Sequence, residues 1–213
     1  MRRYGGPLFL KPMRNPWPGT SEMKRIGILG GTFNPIHIGH LAMADIARDR
    51  CQLDQVIFVP CFQPPHKSMP HLVGARDRYN MVRLAIQDRP DFAVTDVEIK
   101  RKGKSYSIDT VTYLRALYPR GTRLFFIIGE DNLVNLDKWK KIDEMIRIVT
   151  FIVINRPGQT QRGPEIKHLA VQMPGIDISA SYLRRCIRNG QSVRYLIPER
   201  VRKFIITRKL YQA

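Results

Sequence analysis

The feature that most constrains the fold is the alternation of short, mainly apolar segments with longer segments of helical spacing. These segments lie at residues 25–30, 55–59, 124–128 and 149–154 and are apolar except for Arg25, Gln55 and Thr150. Because consecutive residues in them are apolar, both faces of the sheet that they form must be covered. The sequence therefore predicts an α/β fold, a Rossmann-like doubly wound parallel sheet with helices on both faces.

The remaining elements follow from local patterns. Further strands are predicted at residues 92–99, by alternation, and at 168–172. Helices are predicted at residues 41–50, 75–87, 107–118, 137–146, 180–189 and 198–210. Ligands of parallel sheets bind beyond the carboxyl ends of the strands. The site is therefore expected within residues 30–40, 60–67, 129–132 and 155–158.

The 213 residues, 43% of them apolar, suit one domain with a sizeable core, predicted at residues 23–213. Residues 1–22 are rich in proline and glycine and predict a disordered, basic N-terminal tail. Met23 opens directly onto the first strand and is a candidate translation start, so a chain beginning there is expected to keep its activity. A transit peptide fits less well, because the segment is short and poor in serine.

The chain is strongly basic, with 36 Lys and Arg against 18 Asp and Glu, a net charge of +18. Such a charge indicates an anionic partner: nucleic acid, a membrane surface or phosphate-bearing small molecules. No apolar run reaches the ~18 residues that a membrane span needs. The three cysteines share no metal-binding spacing, which favours reduced thiols in a cytoplasmic protein.

The stretch from Gly30 to His40, Gly-Gly-Thr-Phe-Asn-Pro-Ile-His-Ile-Gly-His, directly follows the first apolar run. Its leading glycines allow a tight turn and a close approach to a ligand. His37 and His40 flank Gly39 at an expected helix start, where N–H groups attract phosphate and histidines can donate to it. As metal ligands they lack an obvious third partner, and the stretch matches neither a Walker A loop nor a GxGxxG turn.

A second candidate phosphate site lies in the segment Ile-Ser-Ala-Ser-Tyr-Leu-Arg at residues 178–184. Ser179 is placed to cap a helix whose first N–H groups can hold a phosphate. Arg184 can reach the same place with a bidentate guanidinium. Alone, the segment is equally well explained as a capped helix with a surface arginine.

Together the two segments resemble the signatures of the nucleotidyltransferase superfamily that carries a (T/H)xGH motif, and the second is similar to its ISSTxIR box. The resemblance implies catalytic roles for His40 on the α-phosphate of ATP and for His37 and Arg184 on the β- and γ-phosphates. The residues that it implies for ATP binding are Gly30, Gly31, Thr32, Phe33, His37, Gly39, His40, Gly129, Asp131, Ile178, Ser179, Ser181 and Arg184.

Three other segments resemble the nicotinate-nucleotide adenylyltransferase branch of that superfamily: Pro-Pro-His-Lys at 64–67, Ser-Tyr-Ser-Ile-Asp-Thr at 105–110, and Gly-Glu-Asp at 129–131 followed by Trp139. Read without the resemblance, they are a solvated proline turn, the start of a helix and a packing tryptophan. The residues implied for mononucleotide binding are Asn34, His66, Lys67, Ser105, Tyr106, Ser107 and Trp139. Asn34 stands where the usual form has Asp.

The implied function is transfer of AMP from ATP to nicotinate mononucleotide, which gives deamido-NAD and pyrophosphate in NAD biosynthesis. Mg²⁺ is expected to be held mainly by the ATP phosphates, with no metal site built by the protein. No nucleic-acid or membrane partner is expected, and the oligomeric state stays open, with a homodimer as one option. The alternatives are a related transferase acting on phosphopantetheine, glycerol phosphate or an amide-form nucleotide, and a nucleic-acid-binding protein.

Overall fold

The structure, a computed structural model, describes residues 24–65, 72–155, 164 and 166–212. Within these residues the chain forms one six-stranded parallel sheet in the order β3-β2-β1-β4-β5-β6. The strands are β1 (Arg25–Gly31), β2 (Gln55–Pro60), β3 (Phe92–Val94), β4 (Arg123–Gly129), β5 (Val149–Asn155) and β6 (His168–Gln172). This order is that of the doubly wound Rossmann sheet, so the predicted fold class is confirmed.

Helices connect and cover these strands. They are α1 (Ile38–Arg50), α2 (Ala75–Ile86), α3 (Val97–Arg101), α4 (Ser107–Leu117), α5 (Glu130–Leu133), a 3₁₀ turn (Leu136–Lys138), α6 (Ile142–Ile148), α7 (Ala180–Arg188) and α8 (Glu199–Thr207). Residues 1–23, which include the predicted tail, lie outside the described residues.

The strands β1, β2, β4 and β5 are buried on both faces, as their apolar character predicts, whereas the edge strand β6 is largely exposed. In β2, Val56 and Phe58 pack into the layer formed with α1, α2, α7 and α8, whereas Ile57 and Val59 pack into the opposite layer with α4 and α6. All four side chains are at most 1% exposed. The alternation of side chains along a strand thus builds two apolar layers from one apolar run.

The strand order reverses beside β1, which pairs with β2 on one side and β4 on the other. The chain builds outward from β1 to β3 and then returns to place β4 against the free edge of β1. Connections that leave β1 and β4 therefore diverge, and a crevice opens at the carboxyl ends of these strands. Both glycine-containing segments singled out in the sequence, 30–40 and 129–131, lie at this crevice.

Two sequence predictions were wrong in detail. The strand expected at 92–99 ends at Val94, and residues 97–101 form α3. The Thr95 N–H still donates to the Phe58 carbonyl of β2 (3.0 Å), but the Thr95 hydroxyl accepts the Val97 N–H (3.3 Å), a local bond that favours a helical turn. The helix expected at 137–146 is divided because Lys141 is left-handed (φ 55°). In addition, α1 begins at Ile38, three residues before its predicted start, and α5 was not predicted.

Candidate active site

The stretch that follows β1 folds as a tight turn leading into α1. Phe33 is left-handed (φ 48°) and buried, and His37 is the N-cap residue of α1. The His37 backbone N–H donates to His40 Nδ1 (3.3 Å), and the two imidazole ring centroids are 3.8 Å apart. A Cβ at position 39 would lie 3.1 Å from His37 Nδ1, so glycine permits the ring to fold over the helix start. The two histidines predicted to contact phosphate are thus stacked at a helix N-terminus.

This arrangement orients the ring of His40. With Nδ1 accepting the His37 N–H, Nε2 is the ring nitrogen left to donate. Phe33 packs edge-on against the same ring, with centroids 5.1 Å apart. His40 is therefore held as a donor through Nε2, the form needed to stabilise charge on a phosphate oxygen.

The second phosphate segment reaches the first through Arg184. Ser179 caps α7 by accepting the Tyr182 N–H (3.1 Å), which confirms the predicted cap. Arg184 donates through Nη1 to the Asn34 carbonyl (2.9 Å) and through Nη2 to Ser181 Oγ (3.1 Å). Segments 150 residues apart in sequence are thereby joined at the carboxyl end of β1.

Asn34 lies inside the protein rather than on the surface of the crevice, with 1% of its area exposed. Its Oδ1 accepts hydrogen bonds from the Tyr211 hydroxyl (2.9 Å) and the Val73 N–H (3.4 Å). Burial raises the pKa of Tyr211, so the hydroxyl stays protonated and remains a donor. Tyr211 was missed in the sequence because nothing in its local pattern links it to a residue 177 positions earlier.

A separate cavity of about 210 Å³ lies beside the turn after β1. It brings together four residues predicted to bind the mononucleotide: Ser105, Tyr106, Ser107 and Trp139. The other residues that line it are Thr32, Pro64, Pro65, Asn132 and Lys140. Asn132 and Lys140 were not identified from the sequence; their signal was only their closeness in sequence to Asp131 and Trp139.

Trp139, the aromatic wall of this cavity, packs against the sheet. Trp139 packs edge-on against Phe126 of β4, with ring centroids 5.8 Å apart and an angle of 88°. Lys140 places its Nζ 4.3 Å from the centroid of the Tyr106 ring. The cavity therefore combines a half-buried indole face with a nearby cation, which suits a flat anionic ring.

The opposite wall is tied to the loop after β2. The Phe62 N–H donates to Ser105 Oγ (2.9 Å), and the Ser105 N–H donates to the Gln63 carbonyl (2.9 Å). The N–H and the hydroxyl oxygen of Ser105 therefore both take part in this loop contact. The next N–H groups along the chain, those of Tyr106 and Ser107, lie at the start of α4.

A buried carboxyl supports the same wall. Glu98 accepts a hydrogen bond from the Thr110 hydroxyl (2.5 Å), which in turn accepts one from Arg101 Nη2 (3.2 Å). Burial raises the pKa of Glu98, an effect that the hydrogen bonds of Thr110 and Ser105 oppose. This network anchors the first turn of α4 to α3 below the cavity.

The remaining candidates are distributed around the crevice. Gly129 ends β4, and a Cβ there would lie 2.5 Å from Oδ1 of Asp131, which is exposed in α5. Gly30 is exposed at the end of β1, and Ile178 precedes the α7 cap. His66 and Lys67 lie outside the described residues, so their predicted role stays a prediction.

No cluster of three or more His, Cys, Asp or Glu side chains is placed to hold a metal ion in the part of the chain that the structure describes. No helix in that part is both long and apolar enough to cross a membrane. The three cysteines, Cys51, Cys61 and Cys186, are buried free thiols. The histidines, Arg184 and Ser181 at the crevice supply nitrogen and hydroxyl donors that suit phosphate.

Comparison with known proteins identifies the family. A cytidylyltransferase-like family model matches residues 28–186. Two proteins named "Probable nicotinate-nucleotide adenylyltransferase" are similar over most of the sequence. The one from Dehalococcoides mccartyi (strain BAV1) is 42% identical and covers 88% of this chain and 97% of its own. The one from Lactiplantibacillus plantarum is 46% identical and covers 89% of each.

The fold is shared with a solved structure of Plasmodium falciparum nicotinic acid mononucleotide adenylyltransferase complexed with NaAD. That match has a TM-score of 0.74 at 21% identity and covers 88% of this chain and 97% of the other. The sequence relatives and the shared fold agree with the family that the sequence motifs predict. The chain belongs to the nicotinate-nucleotide adenylyltransferase family, within the cytidylyltransferase-like group.

Proposed function

We propose that the chain transfers AMP from ATP to nicotinate mononucleotide and releases pyrophosphate. The observation that carries this proposal is the meeting of two sites at one turn. Arg184 joins the α7 segment to the turn after β1, and Thr32 of the same turn lines the cavity that contains Trp139. Two substrates bound at these places would have their phosphates side by side. The relatives named above support the same reaction.

The reaction is an in-line displacement. A phosphate oxygen of the mononucleotide forms a bond to the α-phosphorus of ATP, and the bond from that phosphorus to the β-phosphate bridging oxygen breaks. Because the attacking phosphate is already anionic, no general base is required. Catalysis consists of positioning the two phosphates and stabilising the developing charge.

His40, His37 and Arg184 supply that stabilisation in the proposal. His40 donates from Nε2 to an oxygen of the α-phosphate, the group that is attacked. His37 and Arg184, with the N–H groups at the start of α7, hold the β- and γ-phosphates. Arg184 is already oriented by its bonds to Asn34 and Ser181, so little reorganisation is needed when ATP binds.

We expect ATP to bind as a complex with Mg²⁺, an ion that prefers oxygen ligands. The ion would be held mainly by the ATP phosphates and would neutralise phosphate charge. The protein itself supplies the histidines and Arg184.

The pyridine ring of the mononucleotide is assigned to the cavity. Trp139 offers its face for stacking, and the N–H groups of Tyr106 and Ser107 can receive the nicotinate carboxylate. Ser105 N–H is excluded from this role by its bond to Gln63. A site that offers only donors favours the acid over the amide, since an amide would direct its own donor toward another donor.

We expect the enzyme to act in the cytoplasm on small anionic substrates rather than on nucleic acid. Burial raises the pKa of the Cys51 and Cys61 thiols, which keeps them protonated, and free thiols suit a reducing compartment. The net charge of +18 raises the local concentration of phosphate-bearing substrates.

The test is an assay of pyrophosphate release with ATP and either nicotinate or nicotinamide mononucleotide. We expect kcat/KM to favour the acid by at least ~10-fold, about one good hydrogen bond. Equal use of both would contradict the proposed pyridine site while leaving the nucleotidyltransferase chemistry intact. Turnover with phosphopantetheine or glycerol phosphate in place of either would overturn the substrate assignment. A salt-dependent gel shift of DNA or RNA would contradict the exclusion of nucleic acid.

A further inference from the structure

The fourth residue of α2, Arg78, is a cation with 0% of its surface exposed. Its guanidinium donates from Nε to the Val73 carbonyl (3.0 Å), from Nη1 to the Thr32 carbonyl (2.8 Å) and from Nη2 to the Phe62 carbonyl (2.9 Å). Nη1 also lies 3.8 Å from Cys61 Sγ. The three carbonyls belong to the turn after β1, the loop after β2 and the segment that leads into α2.

The charge of Arg78 is solvated by backbone dipoles rather than by a carboxylate. Among the described residues, no Asp or Glu oxygen lies within ion-pair distance of its guanidinium. An arginine cannot lose its proton in a protein, and an unpaired buried charge is costly. An apolar side chain would avoid this cost but would leave the three carbonyls without this donor, so what the arginine adds is a hydrogen-bonded link between three segments.

We propose that Arg78 is a positioning residue that sets the separation between the turn after β1, where ATP is placed, and the loop after β2, which supports the mononucleotide cavity. The inference rests on the proposed function, because it uses the substrate placement given above. Thr32 lies in the ATP turn and lines the cavity. Phe62 begins the loop that supports the opposite wall, since its N–H is bonded to Ser105 Oγ. One rigid guanidinium thus joins Thr32 to Phe62, and through Phe62 to Ser105.

The reaction makes this separation important. The attacking oxygen and the α-phosphorus come from two different substrates. One substrate is placed at the turn after β1, and the other lies in the cavity that the loop after β2 supports. A misplacement of about 1 Å between reacting atoms can cost ~10²-fold in rate. Residues that fix one substrate cannot correct such an error, because it arises between the two loops. Arg78 acts through these loops and does not itself touch the reacting atoms.

Lysine cannot replace arginine in this role. Its single ammonium nitrogen carries three donors at one point, whereas the planar fork of arginine directs separate N–H groups to carbonyls on different segments. Arg78→Lys preserves the positive charge and removes the geometry. The substitution therefore separates positioning from a general electrostatic effect on anion binding.

We expect Arg78→Lys to lower kcat by ~10²-fold while the KM values for ATP and for the mononucleotide each stay within about 3-fold. The two KM values should change little because His37 and Arg184 still bind ATP and Trp139 still binds the mononucleotide. The matched control is Met81→Ala on the same helix, also 0% exposed and packed in the apolar layer. It should lower the melting temperature by about 5 to 15 °C and leave kcat within about 3-fold, measured well below its transition.

Several outcomes would overturn the inference. One is a folded Arg78→Lys variant with wild-type kcat, and another is a loss of kcat in Met81→Ala equal to that in Arg78→Lys. If Arg78→Lys does not fold, Ser105→Ala tests the linkage from its far end by removing the acceptor of the Phe62 N–H. We then expect a loss of kcat of roughly 10-fold with the KM for ATP unchanged, and an unchanged kcat would refute the linkage. An inactive wild-type chain would instead overturn the proposed function.

Discussion

His40 performs two tasks that different substitutions can separate. Its Nδ1 accepts the His37 N–H at 3.3 Å, and this bond organises the start of α1. Its Nε2–H is the proposed donor to the α-phosphate. Loss of the first task should cost about 1 kcal/mol of folding free energy, the value of an ordinary intramolecular hydrogen bond. Loss of the second should cost ~3–4 kcal/mol of transition-state stabilisation, or ~10²- to 10³-fold in kcat.

His40→Ala removes both groups and should show both losses. His40→Asn places an amide oxygen near the former Nδ1, so it should regain most of the stability without regaining turnover. His40→Gln extends an amide NH₂ toward the former Nε2, so it should recover more kcat than His40→Asn does. Single-turnover kinetics with saturating ATP and mononucleotide measure the second task, and thermal unfolding measures the first.

The reasoning fails if His40→Ala is folded and turns over within about 3-fold of the wild type, since no single transition-state donor is worth so little. It also fails if His40→Asn is more active than His40→Gln, because the reactive nitrogen would then be Nδ1. A parallel loss of stability and kcat through all three variants would indicate that the histidine acts only as a cap.

Tyr211→Phe keeps the buried ring and removes the donor to Asn34 Oδ1. We expect the free energy of unfolding to fall by about 1 kcal/mol, which calorimetry should detect as a decrease of ~2–4 °C in Tm. An unchanged Tm would show that the contact contributes nothing to stability. Trp139→Ala should raise KM for the mononucleotide by ~10-fold through loss of ring stacking and leave KM for ATP within about 2-fold of the wild type. If steady-state kinetics showed a change only in KM for ATP, the pyridine ring would have to bind elsewhere. Burial raises the folded-state pKa of Glu98 above its ordinary value of 4.5. Between pH 4.5 and the folded-state pKa, folding therefore takes up a proton, and the free energy of unfolding should fall as the pH rises through this range. The stability of Glu98→Gln, measured by urea unfolding, should lack that decline. Parallel pH profiles for the wild type and Glu98→Gln would show that Glu98 is not the group responsible.

Local patterns were sufficient to locate the four central strands. Runs such as Ile57–Val59 are apolar at every position, which only a strand covered on both faces requires, and the observed burial agrees. The same pattern located the site, because a parallel sheet places its binding loops at the carboxyl ends of its strands. Prediction failed where two local preferences competed, as at residues 92–99, where the Thr95 hydroxyl accepts the Val97 N–H at the start of α3.

The sequence by itself determined the α/β fold class, the turn containing His37 and His40, and the helix cap at Ser179. Each depends on residues within a few positions of one another, so the chemistry is visible in the local order of side chains. Only the tertiary structure decided which distant groups complete the site. Arg184 and Tyr211 reach Asn34 across 150 and 177 residues. Arg78 shares a face of α2 with Met81 and Val82, but its hydrogen-bond partners exist only because the loops after β1 and β2 converge over the start of α2. Such contacts depend on strand order, which no local pattern specifies.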